Sequence, residues 1–148
     1  IKMNKAIIIS LAFLLTVLSF IADAEEQKPK KLANVEYLSI TYTDFKPGKA
    51  DRAMEIIKEH YFPASKTAGT PVPYIVRLQS GEWDMITAWT LEEGYSSMEW
   101  EISADGIKWM QAFNKQEGKE KSKEIRDEFN SLIQRSNHVI GYHPIDIK

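Results

Sequence analysis

Residues 72–90, VPYIVRLQSGEWDMITAWT, decide the fold. Val72–Gln79 and Trp83–Thr90 are rich in β-branched and aromatic side chains and flank Ser80-Gly81, a turn dipeptide, so they read as a β-hairpin. With Ser80-Gly81 as a two-residue tip, Arg77 faces Asp84 and Ile75 faces Ile86. One face then carries Ile75, Ile86 and Ala88. The other collects Tyr74, Val76, Leu78, Trp83, Met85, Thr87 and Trp89. A sheet with one side on water alternates apolar and polar residues, whereas this hairpin is apolar on both sides. Left open, the aromatic side would form an apolar patch uncommon on a monomer. A second sheet is the natural cover, and a symmetric homodimer supplies one. Tyr74, Trp83 and Met85 are therefore the expected dimer interface.

Working outward, Val35–Thr43 is a strand in which Leu38, Ile40 and Tyr42 form one strongly apolar face against Tyr37, Ser39 and Thr41. Lys46-Pro47-Gly48-Lys49 is a turn. Ala50, Ala53, Met54, Ile57 and Tyr61 then recur at helical spacing, and Pro63 is expected to limit that helix near His60. Beyond the hairpin, Gly94–Ile102 and Asp105–Asn114 read as short helices, the second capped by Asp105. Their Met98, Trp100, Trp109, Met110 and Phe113 suggest a lid. After Gly118 the charged run KEKSKE opens a helix carrying Ile125, Phe129, Leu132 and Ile133. Asn137–Tyr142 is a final strand. The order β-α-β-β-(short helices)-α-β is the split βαβ pattern of a ferredoxin-like α+β domain with an antiparallel sheet.

The flanks set the compartment and the domain plan. Met3-Asn4-Lys5 is a positive n-region, Ala6–Ile21 is almost wholly apolar, and Ala22-Asp23-Ala24 has the small-x-small form of a signal-peptidase site. The apolar run is short for a span of about 20 residues. Residues 1–24 therefore read as a signal peptide, removed on Sec-type export to a periplasmic or secreted location, leaving no stable membrane anchor. Residues 25–34 read as a flexible linker, 35–142 as the ferredoxin-like barrel domain and 143–148 as a tail. With 19 Lys and Arg against 21 Asp and Glu, the chain has no basic footprint for nucleic acid. Its lack of cysteine excludes disulfides, thiolate catalysis and cysteine-based metal centres.

Chemistry-bearing motifs are sparse. No G-x-G-x-x-G, G-x-S-x-G, P-loop or H-E-x-x-H is present. His60, His138 and His143 have neither i, i+4 nor H-x-H spacing, so no metal site is expected. His138 and His143 flank the last strand as surface residues. Glu55 and Glu59 share a helix face that is ordinarily solvated. Arg77 and Asp84 are expected to form a cross-strand ion pair. Tyr37, Tyr74, Trp83 and Trp89 are candidates for lining an apolar pocket or for packing an interface.

The element order, the Lys46-Pro47-Gly48-Lys49 turn into the first helix and the Ser80-Gly81-Glu82-Trp83 hairpin resemble the dimeric α/β-barrel superfamily. That group includes stress-responsive barrel proteins and antibiotic-biosynthesis-type monooxygenases. The resemblance covers residues 35–142 and implies a dimeric barrel with a ligand between sheet and helices, near Tyr37, His60, Arg77 and Trp89. By the same analogy His60 is the weak catalytic candidate, its ordinary pKa near 6.5 suiting proton transfer at neutral pH. The leading function is an exported homodimer binding a small, largely apolar molecule. A cofactor-free or haem-using monooxygenase and a structural or stress-related self-associating protein are the alternatives, and the cofactor, if any, stays open.

Overall fold

In the computed structural model, which describes residues 28–147, four strands form one antiparallel sheet in the order β2-β3-β1-β4. They are β1 (Val35–Phe45), β2 (Tyr74–Arg77), β3 (Met85–Thr90) and β4 (Ile133–Pro144). The signal-peptide segment lies outside the described residues. Lys28–Ala33 are exposed and carry no secondary structure.

The first crossover from β1 to β2 is a continuous helical run: α1 (Ala50–Ile56), a π-helical turn (Ile57–Tyr61) and α2 (Phe62–Ala68). The sequence argued for an end near His60, because proline lacks an N–H and clashes with the carbonyl four residues back. The chain instead widens to π geometry just before Pro63, which occupies the first turn of α2, where a missing N–H is harmless. Gly69 ends the run at φ +66°, with its N–H and that of Thr70 returned to the carbonyls of Lys66 and Ser65. Such a left-handed cap is a glycine position.

The second crossover is a 3-10 turn (Gly94–Glu99), then α3 (Ala104–Glu117) and α4 (Lys119–Leu132). The cap of α3 is Ser103, not Asp105: its hydroxyl accepts from the Gly106 N–H at 3.0 Å, while Asp105 pairs with Lys108 at 2.9 Å. Nor is α3 a lid. Phe113 is fully buried and Trp109 packs on the core, whereas Trp100 and Met98 are exposed. Within KEKSKE, Ser122 is completely buried, its hydroxyl bonded to the Asn114 side chain and the Lys119 carbonyl.

One apolar cluster joins the helices to the sheet: Phe45 and Met85 from the strands meet Ala53, Ile56, Ile57, Ala64, Phe113, Ile125 and Leu132. Each large member contributes about 1.5–3 kcal/mol by leaving water. Phe45 and Met85 mark which face of the sheet the helices cover. Thr43 pairs with Met85, so the odd positions of β1 face the helices and the even ones face away.

Two registers differ from expectation. In the hairpin, Ile75 pairs with Thr87 and Arg77 with Met85, one residue away from the two-residue-tip alignment. The Leu78 N–H bonds the Asp84 carbonyl, so the loop spans 79–83 instead of closing at Ser80-Gly81. A slip of one exchanges faces: Met85 and Trp89 belong with Ile75 on the helix side, and Tyr74 and Val76 with Ile86 and Ala88 on the other. Strand β4 is also longer than predicted, pairing from Ile133 opposite Phe45 to Pro144 opposite Val35 and taking up the start of the expected tail. Ser136-Asn137 has little strand propensity, and pairing along β1 overrides it.

Candidate functional site

The face turned from the helices is the most apolar surface of the sheet. Leu38, Ile40 and Tyr42 of β1 lie beside Ile86 and Ala88 of β3, with Tyr74 and Val76 on one flank and Val139 on the other. None of these belongs to the cluster that joins helices and sheet. Tyr74 is 73% exposed and Val139 39%. At one corner the Trp83 ring lies 5.9 Å from that of Tyr42, and the Arg135 guanidinium sits 4.6 Å above it. Arg135 is held there by Asp44 at 3.0 Å and the Glu82 carbonyl at 3.0 Å. Of the three expected interface residues, Tyr74 and Trp83 thus lie on the open face. Met85, displaced by the register, is buried beneath the helices.

On the helix side, β1 begins in an aromatic corner. The Tyr37 ring packs 5.2 Å from Tyr95 and 6.3 Å from Tyr142. Gly94, at φ +62°, makes room for it, since a Cβ there would stand 3.3 Å from the Tyr37 ring. Trp89, opposite Ser39 in the register, shares this side and is 41% exposed. Between them the Ser39 hydroxyl and His138 Nε2 are 2.8 Å apart. A hydroxyl against an imidazole is the first half of a nucleophile–base arrangement. Among the described residues no bonded group orients the other ring nitrogen, and the pair is open to solvent. Sequence spacing gave no sign of it, because Ser39 and His138 meet only through the β1–β4 register.

The other two expected pocket residues lie elsewhere. His60, in the π-helical turn, bonds through Nδ1 to Glu117 Oε1 at 2.8 Å, with little of either side chain exposed. Glu117 also accepts from the Gln116 amide at 2.8 Å and faces Lys121 at 3.2 Å. The Gln116 bond foremost, then His60, hold its carboxyl down at about 2 against the opposing effect of burial. His60 is therefore a tie between helices.

Arg77 reaches Asp51 at 3.2 Å rather than Asp84. Asp84 instead accepts the Phe45 N–H at 2.9 Å and pins the end of β1. Met85, the partner of Arg77, is four positions from Trp89 along β3, about 13 Å at strand rise. Tyr37 and Trp89 share a corner, and His60 and Arg77 do not join them. Glu55, one of the paired glutamates, takes the Arg52 guanidinium at 3.2 Å.

No protein-family model and no curated protein matches the chain. Among solved structures, it is similar to an uncharacterized NIPSNAP domain protein from Burkholderia xenovorans, at 9% identity and TM-score 0.50 over 76% of this chain and 98% of that one. It is also similar to a NIPSNAP family protein from Agrobacterium tumefaciens, at 13% identity and TM-score 0.47 over 72% and 90% of the two chains. The sheet order and the Burkholderia likeness agree on the architecture: an α+β, ferredoxin-like fold of four antiparallel strands and helices.

Proposed function

We propose that the protein works as a homodimeric α/β barrel that binds a small, largely apolar molecule in the space enclosed by two sheets. The supporting observation is the face of Leu38, Ile40, Tyr42, Ile86 and Val76, the more apolar side of the sheet, against which no helix packs among the described residues. Two such faces brought together by a two-fold axis form a self-complementary interface. An eight-stranded barrel is just wide enough to be filled by side chains or to hold one small ligand. Tyr37 and Trp89, with Tyr95 and Tyr142, lie on the helix side of the sheet and so outside that enclosed space.

Export by the 1–24 leader is part of this proposal and rests on the sequence. Among the described residues, no helix is long and apolar enough to cross a membrane. The binding reading stands ahead of a monooxygenase because His60, the best proton-transfer candidate, is engaged by Glu117 away from the sheet. Native mass spectrometry of protein purified from its own compartment tests the whole reading. It is expected to give a dimer that retains a small molecule and a chain that begins at Glu25. A monomer, or a dimer of bare chains, would remove the carrier function.

A further inference from the structure

A second concave surface lies in the helical layer, apart from the sheet face. An open cleft of about 470 Å3 is formed by the π-helical turn, α3 and α4. That volume is in the range of small-molecule sites. One wall is aromatic: the Tyr61 ring is 5.4 Å from Trp109 and 5.4 Å from Phe129. The other is one face of α4, carrying Lys123, Arg126 and Asn130 at i, i+3 and i+7.

The charges on that wall are unevenly satisfied. Asp127 takes the Lys123 ammonium at 2.6 Å. Arg126 donates through Nε to the Ser122 carbonyl at 3.4 Å, and its terminal nitrogens have no carboxylate partner among the described residues. The cleft therefore presents an unmatched guanidinium beside three aromatic rings.

Tyr61 is the last residue of the π-helical turn, a distortion that recurs at functional sites. Its carbonyl accepts from the Trp109 indole N–H at 3.3 Å, which ties the indole to the backbone of the π-helical turn. Burial pushes the phenol up to about 12, with the Arg126 charge pulling in the other direction, so at neutral pH it keeps its proton and can donate.

We propose that this cleft binds a small aromatic carboxylate, its ring against Tyr61, Trp109 and Phe129 and its carboxylate on the Arg126 guanidinium. Asn130 and Tyr61 also line the cleft and carry side-chain donors. A planar fork suits a carboxylate, and a charge-assisted bond of this kind is stronger than a neutral one. The site is independent of the barrel and would exist in either oligomeric state.

The test is an NMR titration of the protein with 1-naphthaleneacetate and, separately, with the uncharged 2-(1-naphthyl)ethanol. The acid is expected to shift the Trp109 indole N–H and the backbone amides of Arg126 and Asn130, and to bind about tenfold more tightly than the alcohol. Arg126→Gln is expected to abolish that preference while resonances of the sheet stay in place. Shifts confined to Ile40, Ile86 and their neighbours would put the probe in the barrel instead and overturn the proposal. So would equal affinity for acid and alcohol, no shift at the cleft, or a tenfold preference that survives in Arg126→Gln.

Discussion

The two faces of the sheet invert the usual division of labour. Beneath the helices, β1 offers Tyr37, Ser39, Thr41, Thr43 and Phe45, a largely polar row of which only Thr43 and Phe45 are buried. Away from the helices it offers Leu38, Ile40 and Tyr42, flanked by Ile86 and Val76. A strand's more apolar face is normally the one turned to its own core. Here the helices need only the far end of the sheet, where Phe45 and Met85 anchor them, and among the described residues none of them packs on the more apolar face. Apolarity identifies a face that must be covered. It does not say that the same chain covers it.

That contrast can be broken from either side. On the covered face, Phe113→Ala removes a fully buried ring and should destabilise the fold by about 3–5 kcal/mol in denaturant unfolding, without selectively weakening association. A drop below about 1 kcal/mol would mean that the helical layer is not the folding core. On the open face, Trp83→Lys places a charge beside Arg135 and should weaken the dimer by about 2–3 kcal/mol in sedimentation, with the monomer still folded. Unchanged affinity would move the interface off this corner.

Within the helical layer the expected effects are smaller and depend on pH. The Glu117 carboxyl is held at about 2 when folded, against an ordinary 4.5. Its contribution is therefore complete above about pH 4.5 and lost as pH falls toward 2. Glu117→Gln should destabilise by about 1–2 kcal/mol at pH 7 and flatten the acid limb of a stability–pH profile. Parallel profiles for the two proteins would remove the tie to His60. The Arg52–Glu128 pair is bidentate, at 2.7 and 3.0 Å, but both side chains are about two-fifths exposed. Glu128→Gln should change stability by less than about 1 kcal/mol, and progressively less as salt is raised.

What could be read from the sequence follows which contacts are local. Element order and strand and helix types came from periodicity, and with them the ferredoxin-like fold. The double-sided apolar hairpin was visible for the same reason. Its register was not, because the loop at 79–83 is closed by a Leu78–Asp84 backbone bond that no turn dipeptide announces. That single slip moved Met85 from the expected interface into the core. Pro63 misled because its effect is absorbed by a π-helical turn, a tertiary compromise without a sequence signature. Likewise, Ser39–His138, Arg77–Asp51 and His60–Glu117 join residues distant in the chain, so spacing rules cannot find them.

Sedimentation velocity on the native chain and on Ile40→Lys tests the central claim most directly, because Ile40 sits on the central strand of the open face, beside Ala88 and Val139. The account predicts a dimer for the native chain at micromolar concentration. For Ile40→Lys it predicts a monomer with an unchanged far-ultraviolet circular dichroism spectrum. A native chain that sediments as a monomer, or an Ile40→Lys dimer of undiminished affinity, would contradict it.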